Sequence, residues 1–356
     1  MTMILHMLPV QNGDCFIVEF DDENNRKCRI VVDGGPAFTY KQLRKFFSDL
    51  PDQDRVIDLL IVTHIDEDHI GGIVSLLEDT ALNVAVKEVW FNDLEYAAAP
   101  YSRRNMTAIE TFGVPHGIRL AKLIEDLAIP WNEAFGRRAI CLEPSGKAVL
   151  HSLTKNCEIS LLSPSSADLH GLAEKWREEI ASKSTEAVID DTPEIETYGA
   201  SRNSWEDLAK SDFDPDTSVT NLSSIAFLLK VGTIQVFFGG DASSPTVLNA
   251  LSSLPHSPGT ISAFKLSHHG SARNTCESLL SALPAEKYLF SANGRHGHPS
   301  LETIARVAKF GPADAELHFS YRTREDELAE VGLATLARRE MKVHYGSPTK
   351  PSKFIL

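Results

Sequence analysis

Thr63-His64-Ile65-Asp66-Glu67-Asp68-His69-Ile70-Gly71-Gly72 decides how the rest of this 356-residue sequence is read. Two imidazoles and two carboxylates (His64, Asp66, Asp68 and His69) fall within six residues, directly after the strand-like run Val56–Val62. Unprotonated imidazole and ionised carboxylate are ligands for divalent cations, and a strand-to-helix loop can turn such groups toward one centre. Helical spacing begins at about Ile70. Gly71 and Gly72 allow a backbone approach that a side chain would block. The plainer reading is a solvated acidic loop whose carboxylates cap a helix.

Working outward, other metal-capable residues share one placement, just past an apolar strand. Asp33 closes Arg29–Val32 and Asp241 follows Thr233–Phe238 through Gly239-Gly240. His268 and His269 follow Ala263–Ser267, and His298 lies in the Asn293–Pro299 loop after Lys287–Ser291. Alone, each reads as a turn residue or a satisfied histidine. Together they form the pattern of active-site loops along one rim of a sheet scaffold.

Ile4–Leu8 and Cys15–Phe20 read as a hairpin with an Asn-Gly turn at Asn12-Gly13-Asp14. Glu158–Leu162 is a strand stopped by Ser163-Pro164, and Ser224–Val231 joins Thr233–Phe238 at Gly232. A helix follows from Ser300, then strands Glu316–Tyr321 and Met341–Tyr345. No repeat of fixed period is present. Strands outnumber helices and the two halves look alike, which predicts an α/β fold, a four-layer αββα sandwich, as one domain over residues 1–356. Residues 163–216 are rich in Ser, Asp, Glu and Thr, with helical spacing only over Leu172–Ile180. They are expected to be an acidic surface insertion, partly disordered, or else a lid.

With 42% apolar and 24% charged residues, collagen-like, disulfide-rich and wholly disordered classes are excluded. Five cysteines without a CxxC pair fit a reducing compartment and argue against a thiolate zinc site. The run Ile4–Val10 is short and carries His6 and Pro9, so it does not read as a signal peptide. No stretch approaches the ~20 apolar residues of a membrane span. A cytoplasmic protein without membrane contact is expected. The net charge of −14 is uneven: residues 168–216 hold 14 acidic and 5 basic side chains, whereas 265–356 hold 13 basic and 10 acidic. Acidity disfavours non-specific nucleic-acid binding but leaves room for a local groove.

The motifs Asn-Gly-Asp, Val-Asp-Gly-Gly, Thr-His-x-Asp-x-Asp-His-x-Gly-Gly, Asn221-x-x-Ser224, Gly-Gly-Asp, His-His-Gly-Ser and Gly-His-Pro occur in that order. In this the sequence resembles the metallo-β-lactamase superfamily, and within it the hydrolase domain of ComEC-type competence proteins, over roughly Met3–Leu301. The membrane channel of those proteins is absent, so DNA uptake does not carry over. The resemblance implies two divalent metal ions. His64 and Asp66 would hold one, Asp68 and His69 the other, with Asp241 bridging. One of His268 and His269 would complete the second site, His269 being favoured, while the other faces substrate. It also implies that Asp33 orients a ligand histidine from behind, and that His298 contacts substrate or transfers a proton. Lys265, Asn221, Ser271 and Asn293 would contact a phosphate.

Two departures bear on the metal. Asp66 stands where many members have histidine, and Ser163 follows the strand that usually carries a middle histidine, His151 lying too early to replace it. Oxygen-rich ligation shifts the expected ion from Zn²⁺ toward Mn²⁺ or Mg²⁺. The expected activity is a metal-dependent phosphodiesterase, in its narrowest form a nuclease, with Asp68, His268 and His298 in catalytic roles and nucleic acid or another phosphodiester as substrate. A hydrolase of small phosphoesters, lactones or amides is the alternative, then a non-catalytic metal-binding module. Arg273, Arg295, Arg322 and Arg324 could line a backbone track. No zinc-finger or helix-turn-helix spacing is present, and nothing in the sequence names a protein partner.

Overall fold

In β1 (Met3–Met7) burial alternates with a period of two, Met3, Leu5 and Met7 pointing inward. The computed structural model describes residues 2–93, 114–182, 204–328 and 339–356. After β1 come β2 (Phe16–Asp21), β3 (Lys27–Val32), β4 (Val56–Ile57), β5 (Leu59–Ile61), β6 (Ala85–Val86) and β7 (Val89–Trp90). The second half supplies β8 (Val149–Thr154), β9 (Cys157–Ser163), β10 (Ala226–Val231), β11 (Ile234–Phe238) and β12 (Ala263–Lys265). It ends with β13 (Lys287–Phe290), β14 (Glu316–Phe319), β15 (Lys342–Tyr345) and β16 (Ser352–Ile355).

Two sheets result. One is six-stranded, in the order β16-β1-β2-β3-β5-β7; the other is eight-stranded, β15-β14-β13-β12-β11-β10-β9-β8, and β4 and β6 form a separate ribbon. Each large sheet is antiparallel on one side and parallel on the other, the change falling at β3 and at β11. Phe16, Val18 and Phe20 face Phe227, Leu229, Val236 and Phe238 in the core between the sheets, with the Phe16 and Phe238 rings 5.7 Å apart. On the other face of the first sheet, Ile17, Val31 and Leu60 pack on Leu43, Phe47, Ile70, Ile73 and Leu120 of helices Lys41–Ser48, Glu67–Glu78 and Val114–Asp126. Helices Ser244–Ser252, Glu277–Ala282 and Leu301–Phe310 bring Val247, Leu279 and Ile304 into the core of the second sheet. The fold is the α/β sandwich that the sequence predicts.

Several expectations are revised. β1 and β2 pair antiparallel, but not through an Asn-Gly turn: residues 8–15 make a broader loop whose left-handed residue is Gln11, φ 64°. Gly13 is required for another reason, since a Cβ there would strike the backbone carbonyl of Asp68, to which Asp14 N donates at 3.2 Å. The run Val56–Val62 is broken at Asp58, which accepts hydrogen bonds from Arg29 N, Arg26 and Lys87. The helix expected from Ile70 starts at Glu67 with Asp66 as N-cap, so Asp68 and His69 occupy its first turn, where acidic groups suit the helix dipole. β16 is an addition, with Phe354 buried.

The stretch 163–216 is also more than surface. Ser166–Ser182 is one helix with Leu169, Leu172 and Ala173 buried. Trp205–Ala209 is a second, its N-terminus closed by reciprocal Ser204–Asp207 bonds, and Trp205 joins the main core. Residues 183–203, the middle of the stretch expected to be disordered or a lid, lie outside the described residues. No helix among the described residues is long and apolar enough to cross a membrane.

Candidate metal centre

The loops that follow β3, β5, β11, β12 and β13 converge on one end of the sandwich. Four non-glycine residues there are left-handed: Asp33 (φ 57°), His268 (48°), His269 (52°) and His296 (57°). Such conformations cost on the order of 1–2 kcal/mol each and persist where the surroundings fix them.

Asp33 sits behind His69. Its Oδ2 accepts from His69 Nδ1 at 2.9 Å and from Thr63 Oγ1 at 2.8 Å, while Oδ1 accepts from Thr63 N at 2.8 Å. His69 Nε2 is thereby turned to the front, 3.4 Å from Asp241 Oδ1. His64 Nε2 lies 3.5 Å from Asp66 Oδ2 and 3.8 Å from Asp241 Oδ2. His269 Nε2 is 3.3 Å from Asp68 Oδ2, and His268 Nε2 is 3.8 Å from Asp241 Oδ2. Asp241 thus stands between the groups, held by Ser224 Oγ accepting from its backbone N and by Asn274 Nδ2 donating to its carbonyl.

Two carboxylates outside the motif complete this arrangement, and the sequence reading missed both. Asp14 is buried against Lys265 Nζ, Ser291 Oγ and His269 Nδ1, the last at 3.2 Å. Asp216, at the end of the acidic stretch, faces His268 Nδ1 at 3.2 Å and accepts from Asn221 Nδ2 at 2.7 Å. Three imidazoles therefore have a carboxylate on Nδ1 and Nε2 aimed inward. In the neutral imidazole that favours the tautomer with the proton on Nδ1 and the lone pair on Nε2.

Electrostatics follow from this crowding. Burial raises the Asp68 carboxyl, yet His69 and His269 hold it down to about 2. Burial likewise opposes ionisation of Asp241, and His69, His268 and His269 prevail, leaving it well below the usual range. His268 is pulled down by burial but pushed up to about 9 by Asp241 and Asp216. His298, whose ring centroid is 4.9 Å from that of His268, is driven well below the usual value by burial and by His268 and His269.

The donor set can be tested for an ion without one being present. His64 Nε2, His69 Nε2, His269 Nε2 and Asp241 Oδ1 are buried and lack hydrogen-bond partners among the described residues. Unpaired buried polar atoms are costly and rare. Ligands bound at about 2.1 Å around one tetrahedral ion stand about 3.4 Å apart. The separations here, 3.3–3.8 Å, surround that spacing and exceed good hydrogen-bond lengths. The residues fit divalent metal binding.

Other expected residues are placed differently. Lys265 is buried, and its ammonium is held by Asp14 and by the Gly240 carbonyl at 3.0 Å, so it does not face a phosphate. Ser271 is buried and its Oγ accepts from Arg273 N; Asn221 is bound to Asp216. Asn293 is half-buried in the loop before His298, its Oδ1 accepting from Arg295 N. His151 packs on Trp90 and Phe135, away from the cluster. Arg324 is bonded to the carbonyls of Gly297 and Pro299, so it braces the loop bearing His298 and is not free for a track. Arg273 reaches the Pro215 carbonyl and Asp214, and Arg322 pairs with Glu325.

Residues 8–129 match the Metallo-beta-lactamase superfamily. The matched segment carries Asp14, Asp33 and the His64–His69 motif. No curated protein matches the sequence. Zn²⁺-bound PqqB from Methylobacterium extorquens is similar in structure at TM-score 0.40 and 10% identity, with 100% of each chain covered. The short form of human tRNase Z is similar at TM-score 0.36 and 12% identity, over 98% of this chain and 93% of that one. Unliganded yeast PDE1 gives 0.36 and 11%, over 98% and 99%.

Proposed function

We propose that the protein is a metal-dependent hydrolase of phosphodiesters, in its narrowest form a nuclease like the hydrolase domain of ComEC-type competence proteins. The observation that carries this reading is the convergence of three unpaired buried imidazole nitrogens and the carboxylates of Asp66 and Asp68 around Asp241, whose own Oδ1 is also unpaired. On this reading residues 1–356 make one catalytic domain. His64, Asp66 and Asp241 would hold one ion, with His268 Nε2 beside it; Asp68, His69, His269 and Asp241 would hold the other. Bound divalent ions, Zn²⁺ or Mn²⁺ before Mg²⁺, would supply Lewis acidity and a lowered water pKa.

The chain's own groups do the rest. Asp33, Asp14 and Asp216 hold three imidazoles in one tautomer and orientation. Lys265 neutralises Asp14, so the carboxylates around the centre are not left as bare repulsion. Burial and its histidine neighbours disfavour protonation of His298, so it would meet the substrate as a neutral hydrogen-bonding group. Asn293, in the same loop, would contact a phosphate oxygen.

Hydrolysis of a small phosphoester, lactone or amide is the second reading. It is favoured by the internal engagement of Lys265, Arg273 and Arg324, which removes three cations from any polyanion track. Purified protein incubated with single-stranded DNA, plasmid and bis-p-nitrophenyl phosphate, under Mn²⁺, Mg²⁺, Zn²⁺ or chelator, separates the two. Chelator-sensitive DNA cleavage is the expected result. Turnover of the small diester alone selects the second reading, and no turnover by metal-loaded protein overturns both. Asp68→Ala and His69→Ala should each abolish turnover with an unchanged circular-dichroism spectrum; retained activity would remove the metal assignment.

A further inference from the structure

We propose that Glu316, His318 and His344 form a second, separate site for one transition-metal ion of the Zn²⁺, Ni²⁺ or Cu²⁺ class, at an open edge of the sandwich. The cluster shares no residue with the centre around Asp241. His318 and His344 are opposite each other on the parallel strands β14 and β15, and Glu316 lies two residues before His318, on the same face. Register alone therefore brings two imidazoles and a carboxylate together, with one ligand atom of each inside a 4.8 Å sphere of separations.

The rings are stacked, centroids 4.5 Å apart and planes within 8°, and one nitrogen of each lies in the same cluster of ligand atoms. His318 Nε2 is 3.0 Å from Glu316 Oε2. Phe354 of β16 packs edge-on against His318 at 4.9 Å, which brings the other sheet against the cluster and fixes the ring position. Lys287 Nζ, 3.6 Å from Glu316, is the charge that an ion would replace.

Two imidazoles and one carboxylate select borderline ions over Mg²⁺ or Ca²⁺, which prefer oxygen. Three protein ligands leave a position for water, and a bound ion would tie β14 to the edge strand β15. His344 is exposed, so its replacement leaves the core intact.

The test is isothermal titration of the whole protein with Zn²⁺ alone, comparing wild type with His344→Ala and Glu316→Gln. The expected result is one fewer Zn²⁺ equivalent in each variant, with the equivalents assigned to the Asp241 centre unchanged. A Zn²⁺-dependent rise in Tm should be correspondingly smaller. Identical stoichiometry in all three proteins overturns the site, whatever becomes of the hydrolase reading. Equal occupancy by Mg²⁺ at the same positions overturns the donor-class argument.

Discussion

Behind each of His69, His269 and His268 stands a carboxylate: Asp33, Asp14 and Asp216. Replacing any of them by Asn keeps the volume but lets the imidazole take the wrong tautomer. Each change should weaken metal affinity or turnover by roughly 10–100-fold while the fold survives, as metal titration and circular dichroism would report. Undiminished affinity in all three would sink the orienting role. An acid outside the centre also contributes to acid stability. Glu19, bonded to Arg29 and His6, has its carboxyl raised by burial but held down to about 2 by those partners, from 4.5. A folded value below the unfolded one means stability that is full above about 4.5 and lost as pH falls through about 2. Glu19→Gln should flatten the fall of Tm between pH 5 and pH 2. Of the orienting acids, Asp33 was legible because it closes an apolar strand before two glycines. Asp14 sits among turn-formers and Asp216 ends an acidic stretch, and nothing local signals that both are folded against histidines hundreds or tens of residues away.

The helix Glu67–Glu78 carries Asp68 and His69 in its first turn, and its seat is backbone against backbone. Gly34 N donates to the His69 carbonyl at 2.8 Å and Gly72 N to the Gly35 carbonyl at 2.7 Å. A Cβ on Gly72 would collide with the Gly34 carbonyl, backbone that cannot rotate aside. Gly72→Ala should therefore destabilise the protein by about 1–3 kcal/mol and lower bound metal, even though alanine favours helix. Urea unfolding and elemental analysis check this; a stabilised, fully loaded variant would contradict it. The sequence disclosed the need for close approach at Gly71-Gly72, but not the helix start, because the first turn is polar and the apolar period begins only at Ile70. Ser300 is the converse case. Its side chain accepts from Thr303 N, and the helix begins where the sequence placed it.

At the scale of the molecule, the sandwich was legible from strands that end in acids, glycines or histidines, since both sheets deliver loops to one rim. The interior breadth of the 163–216 stretch was not, because its few apolar residues are diluted in a polar run and the burial of Trp205 depends on partners far along the chain. The strand β16 was equally hidden, being short and distant from β1, with which it pairs from Ile4↔Ile355 to Met7↔Ser352. Removing residues 347–356 would uncover β1 as an edge and expose the buried Phe354 contact. The expected result is a lower Tm and self-association in analytical ultracentrifugation. A truncated protein that stays monomeric with unaltered Tm would show that β16 adds nothing.

That pairing also has a kinetic meaning. Strand β1 gains its second neighbour only when residues 352–355, more than 340 positions further along, have been synthesised. Contacts of such long sequence separation carry a large loop-closure cost and form late. Until then the first sheet is bordered by an unsatisfied edge at β1, and the pairing that closes it comes late in folding.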